Sequence, residues 1–231
     1  MADLRLESGT RIAALIRDGT LTSREVVEAH IAQIERVNPV INAVVRDRFA
    51  MARREATEAD VKVRASGTDS LPPFHGVPFT VKECFALTGM PQTAGLVRRK
   101  DIVAMADATA VARVRAAGGI PLGVTNTNTS ELCMWMESTN NVYGRSNNPY
   151  DPSRIVGGSS GGEAAIIAAG GSPFGVGSDI GGSIRGPAFF NGIFWHKPTG
   201  GWCREPVSTP SLQSVRCEFS RPVHSHGAPK T

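Results

Sequence analysis

Two short runs set serine hydroxyls among glycines: residues 157–162 read Gly-Gly-Ser-Ser-Gly-Gly, and 181–185 read Gly-Gly-Ser-Ile-Arg. Glycine at that density costs chain entropy, so the backbone there needs positive φ or close approach to another group. A serine hydroxyl is a poor nucleophile at neutral pH and needs a base. Three chemistries compete. A phosphate-binding loop wants a lysine directly after the glycines, and neither cluster has one. Gly157-Gly-Ser-Ser-Gly161 fits the G-x-S-x-G nucleophile elbow, which needs an acid and a histidine downstream, for which His196, His224 and His226 are the candidates. That is the second choice. The third needs no histidine: a buried lysine, whose charged form is disfavoured by desolvation, can act as base with a second serine relaying the proton, and Lys82, Ser159 and Ser183 supply those parts. Backbone N–H groups of the glycine-rich turn would then stabilise an oxyanion.

These residues must be held by something, and the chain supplies alternating elements. Thr22 and Glu25 form a capping-box pair ahead of Val27, Ile31 and Ile34 at helical spacing, and Asn38-Pro39 is expected to stop that helix. A second amphipathic helix is expected over 47–64. Val77, Phe79 and Val81 alternate as a strand ending at Lys82 and Glu83. Asp107 is expected to cap a helix carrying Val111 and Val114, closed by Gly118-Gly119, before a strand over 120–125 and a short helix over 130–136. Trp135, Phe189 and Phe190 are expected in the core. Strands alternating with helices point to an α/β layered domain. Residues 201–231 show four prolines and five serines, and no helical or strand period is expected there. The division is therefore one domain over 1–200 and a divergent, disordered tail over 201–231.

Three stretches carry a resemblance: Gly76-Val-Pro-Phe-Thr-Val-Lys82-Glu83, Gly157-Gly-Ser-Ser-Gly-Gly162-Glu163 and Gly177-Ser-Asp-Ile-Gly-Gly-Ser-Ile-Arg185. In this order and at this separation they resemble the amidase signature family of Ser-Ser-Lys hydrolases, over residues from about 8 to 200. The resemblance implies an α/β/α sandwich around a mixed central sheet, here incomplete at the C-terminus. It implies Ser183 as the acyl-forming nucleophile, Ser159 as the relay serine after a cis peptide bond, and Lys82 as general base. Backbone N–H groups of Ile180, Gly181, Gly182 and Ser183 would form the oxyanion hole. Ser160, Asp179 and Arg185 would hold these loops, and Cys133 would line the substrate channel.

Within the family, Glu131-Leu-Cys-Met-Trp135, Asn147-Asn-Pro-Tyr150 and Pro187-Ala-Phe-Phe-Asn-Gly192 are similar to fatty-acid amide hydrolases. The glutaminase subunit of tRNA-dependent amidotransferases is less similar. The implied activity is hydrolysis of linear, fatty-acyl amides to acid and amine, on a small-molecule substrate and without a cofactor or metal. The alternatives are a catalytically inactive fragment, since the family pattern stops after Lys197-Pro198, a Ser-His-Asp α/β-hydrolase, or an amidotransferase subunit. By analogy with the family, a homo-oligomer and an association with membranes are both admitted.

Composition narrows the classes. The 231 residues are 41% hydrophobic and 20% charged, which suits a folded domain rather than a disordered chain. The net charge of +4 is spread over helix faces without interleaved aromatics, so nucleic-acid binding is not expected. Cys84, Cys133, Cys203 and Cys217 stand too far apart for paired zinc ligands, and His224-Ser-His226 lacks partners. No signal peptide and no apolar run long enough for a membrane span is visible, so the expected setting is cytoplasmic or peripheral to intracellular membranes.

Overall fold

The computed structural model describes residues 3–66, 70–128, 136–199 and, as backbone, 216–220. Helix α1 (Gly9–Arg17) starts at Ser8, whose hydroxyl accepts the Arg11 N–H. Helix α2 (Ser23–Ile41) starts at the expected Thr22–Glu25 capping box and buries Val26, Val27, Ile31 and Ile34. It does not stop at Asn38 but runs through Pro39. The reason is local: the Asn38 side chain accepts the N–H groups of Ala43 and Val44, each at 2.8 Å, and its backbone carbonyl accepts the N–H of Asn42 at 2.8 Å. Asn42 sits in the left-handed region and closes the helix.

Strand β1 (Val44–Asp47) leads into α3 (Phe49–Ser66), which covers the expected second helix. Strands β2 (Pro78–Lys82) and β3 (Ile120–Thr125) form where strands were expected, and every residue of both is buried. That is the pattern of strands covered on both faces. Helix α4 (Thr109–Ala116) buries Val111 and Val114, but Asp107 does not cap it. Its carboxylate instead accepts the Thr88 N–H and hydroxyl and pairs with Arg115, so a tertiary contact displaces the cap. The short helix expected over 130–136 falls outside the described residues except for Met136.

A small hairpin, β4 (Thr139–Asn140) with β5 (Gly144–Arg145), precedes α5 (Gly161–Ala168), β6 (Phe174–Ser178), α6 (Arg185–Asn191) and β7 (Phe194–His196). Strand β8 (Arg216–Ser220) completes a six-stranded sheet of order β1-β3-β2-β6-β8-β7. The central pairs β3–β2 and β2–β6 are parallel, whereas β1, β8 and β7 pair antiparallel. The sheet is mixed, as expected for this α/β fold. β8 departs from the expectation for 201–231. Its sequence Arg-Cys-Glu-Phe-Ser does alternate polar and apolar residues, a period of two hidden by the proline-rich surroundings.

Hydrophobic clusters cover the sheet on both sides. Val77, Phe79 and Val81 pack with Ile12 and Ile16 of α1 and Val111 of α4. Leu122 packs with Ile31 of α2, Ala56 of α3 and Ile166 of α5. Because side chains alternate along a strand, Thr80 and Lys82 leave β2 on the face opposite Phe79 and Val81. Phe189 and Phe190 are not core residues: they are 83% and 41% exposed, and α6 buries Pro187, Ala188 and Asn191 instead. Trp135 lies outside the described residues. Among the described residues no helix is long and apolar enough to cross a membrane, and no three metal-ligating side chains cluster.

Candidate active site

Lys82 is the last residue of β2, in register with Thr125 of β3, and its side chain is fully buried. Its Nζ donates to Ser159 Oγ at 2.6 Å and to Ser178 Oγ at 2.9 Å. Among the described residues it makes no ion pair. Between these two hydroxyls the amine is within hydrogen-bond reach of a group that could pass it a proton. The arrangement can accept a proton.

Ser159 lies just ahead of α5, and the Gly158–Ser159 peptide bond is cis. The loop is pinned by two further serines. Ser138 Oγ donates to the Gly157 carbonyl at 3.0 Å and accepts the Gly161 N–H at 2.8 Å. Ser160 Oγ donates to the Ser178 carbonyl at 3.2 Å and accepts the Ser178 N–H at 3.3 Å. The Ser160 N–H donates to the Ser183 carbonyl at 3.1 Å, which ties the Ser159 loop to the turn that follows β6.

That turn, 179–185, is organised by Asp179. Its buried carboxylate accepts the N–H groups of Gly182 at 2.8 Å, Ile184 at 3.1 Å and Arg185 at 3.2 Å. The Arg185 guanidinium adds bonds of 3.0 and 2.9 Å, and Lys197 lies at 3.4 Å. Burial alone pushes the Asp179 carboxyl up, but Arg185 and the three N–H groups outweigh it and hold the group well below the usual carboxylate range. Gly182 has φ +123, a conformation L side chains rarely adopt, so only glycine closes the turn at this point without strain. Ser183 is buried, while Ile180 and Gly181 are exposed on the same turn.

Of the residues singled out from sequence, Lys82 meets Ser159, Ser160 meets the chain at Ser178 and Ser183, and Asp179 meets Arg185 and Gly182. The Gly182 N–H is engaged by Asp179 in this geometry. Cys133 lies outside the described residues. The elbow alternative wanted a histidine beside Ser159; Lys82 occupies that position, His196 is exposed on β7, and His224 and His226 fall outside the described residues. Sequence reading passed over Ser178, Ser138 and Glu163. Ser178 and Glu163 stand inside the quoted motifs, so their place beside the glycines was the available signal. Ser138 had none.

A protein-family model described as Amidase matches residues 25–216. Fatty-acid amide hydrolase 2-A of Danio rerio is 57% identical over 221 residues, which is 94% of this chain and 41% of that protein. Fatty-acid amide hydrolase 2 of Homo sapiens is 55% identical over 203 residues, 86% of this chain and 38% of that protein. A solved fatty acid amide hydrolase structure superposes with a TM-score of 0.87 at 28% identity, covering 96% of this chain and 40% of that one. The chain thus spans about two fifths of the length of the relatives it matches. With its motifs in order, its mixed sheet and this extended likeness, the chain belongs to the amidase signature family.

Proposed function

We propose that the chain carries the acylating chemistry of an amide hydrolase, cleaving carboxylic amides, and fatty-acyl amides in particular, to acid and amine. The observation that carries this reading is the buried Lys82 amine 2.6 Å from Ser159 Oγ, in a loop bonded to the Ser183 carbonyl. The fatty-acyl preference rests on the names of the relatives.

In the proposed first step Ser183 Oγ bonds to the amide carbon while its proton passes to Ser159 and the Ser159 proton passes to uncharged Lys82. The carbonyl electron pair moves onto oxygen, where N–H groups of Ile180, Gly181, Gly182 and Ser183 are the proposed donors; that of Gly182 would have to be shared with Asp179. Collapse breaks the carbon–nitrogen bond, and the proton on Lys82 returns through Ser159 to the departing amine. Water then attacks the acyl-Ser183 ester by the same relay, releasing the acid and restoring the Ser183 hydroxyl. Ser160, Asp179 and Arg185 keep the two loops in register, and Cys133 is proposed to line the channel.

The test is labelling of the purified chain by a fluorophosphonate serine-hydrolase probe. Modification mapped to Ser183, absent in Ser183→Ala, is expected. A sample with a cooperative thermal transition that takes no label would overturn the reading and leave the inactive fragment.

A further inference from the structure

Glu163 is a fully buried carboxyl for which the proposed steps have no use. It stands on the first turn of α5, four positions after Ser159, and reaches down onto the sheet face that carries Lys82. One carboxylate oxygen accepts the Thr80 hydroxyl, and the other accepts the Thr125 hydroxyl at 2.7 Å. Thr80 lies two residues before Lys82 on β2, and Thr125 is the register partner of Lys82 on β3. The carboxyl therefore rests on the two immediate neighbours of the lysine. Room for it comes from Gly175, the β6 partner of Thr80, where a Cβ would overlap the Glu163 oxygen.

We propose that Glu163 is a positioning residue whose charge sets how tightly Lys82 holds a proton. The proposal rests on the reading of Lys82 as the base. Thr80 and Thr125 hold the carboxyl on the Lys82 face of the sheet, where the charge of Lys82 is felt, so Glu163 acts through its field and not by transferring a proton. As an anion it favours the ammonium that forms while Ser159 is being deprotonated; as a neutral acid it favours the free amine. Burial pushes the Glu163 carboxyl up to about 7, against the two hydroxyls and the charge of Lys82, which pull it down. Both states are thus within reach near neutral pH.

Among the described side chains the other charged groups nearby are engaged elsewhere, beginning with Asp179, which follows Ser178 and is held by Arg185 and Lys197. Residues of α5, β3 and β6 other than Glu163 carry no charge, and Lys82 is the one charged residue of β2. On α2, His30 bonds to the Gly170 carbonyl and Gln33 to the Ala169 carbonyl, beyond the far end of α5. Arg185 at the start of α6 is engaged by Asp179, Arg46 and Asp47 of β1 are exposed, and Glu83 is turned to the Thr93 and Ala94 N–H groups and to Tyr143.

The experiment follows the Lys82 amine itself by NMR of ¹³Cε-lysine in the full chain, with Lys82→Met supplying the assignment, alongside the pH dependence of probe labelling. Glu163→Gln is expected to move the Lys82 titration midpoint down by about one pH unit, and the rising limb of labelling with it. Thr125→Val, which removes a donor to the carboxylate while preserving shape, is expected to move it the same way by less, and covers the case in which the glutamine variant fails to fold. A Lys82 midpoint unchanged in either folded variant overturns the proposal, whatever the labelling rate. Full-rate labelling of Lys82→Met would instead overturn Lys82 as the base, so the two failures are separable.

Discussion

Asp179 and Glu163 are both buried carboxyls within the same motifs, and the protein treats them in opposite ways. Asp179 is saturated: three backbone N–H groups, the Arg185 guanidinium and the Lys197 ammonium surround it, and it stays ionised despite its burial. Glu163 has two hydroxyl donors and no ion-pair partner among the described residues, and its carboxyl rises to about 7. Full satisfaction of a buried charge freezes its protonation and braces a loop. Partial satisfaction leaves both protonation states within reach near neutral pH, which is what the proposed influence on Lys82 needs.

The contrast can be broken most sharply at the lysine. Lys82→Met removes a proton acceptor but fills its space, so probe labelling should fall by roughly 10²–10⁴-fold while the chain stays folded. A folded variant that labels at the wild-type rate would place Lys82 with the structural groups. The next effect is on stability against pH. Between the ordinary glutamate value of 4.5 and about 7 the folded state keeps a proton on Glu163 that the unfolded chain releases, so stability falls as pH rises through that window. The loss is roughly 3 kcal/mol, and Glu163→Gln should remove it, as read from urea midpoints on the two sides of the window. Asp179 has the opposite sign: its contribution is present above the ordinary carboxylate range and is lost as pH falls below about 4.

A smaller effect is expected for Asp179→Asn, roughly 2 kcal/mol by urea denaturation. The buried N–H groups keep a weaker acceptor, while the half-exposed Arg185 guanidinium can turn to water. Smallest of all is Asp151→Ala. The same Asp–Arg chemistry at Arg154 is exposed on both sides, so no shift in urea midpoint is expected. A shift as large as that of the Asp179 variant would show that burial is not what separates the two pairs.

Motif residues were the most legible part of the molecule. Lys82 and Ser159 were readable because glycines and hydroxyls in that order have few other uses, and β3 because its largely apolar run Ile120–Thr125 starts directly after Gly118-Gly119. What escaped was contact across the sheet. Ser178 reaches Lys82 only because β2 and β6 run parallel as neighbours, a pairing that no local pattern encodes. Glu163 stands in the first turn of α5, and no local spacing points from there to the sheet beneath it. Asp107 carried a true capping signal that Thr88 and Arg115 outbid, and Pro39 a true stop signal that the Asn38 side chain overrode. Phe189 and Phe190 were apolar enough for a core, but α6 turns Pro187, Ala188 and Asn191 inward and leaves both rings outside.

Strand β8 makes spatial order depart from chain order. It lies between β6 and β7, and among the described residues β7 has no other neighbour in the sheet. Its first residue, Arg216, pairs with Ser178, whose hydroxyl takes a bond from the Lys82 amine. Loss of those five late residues would therefore be felt upstream. It would unmoor Phe194–His196 and strip one flank of the strand that supports the buried amine.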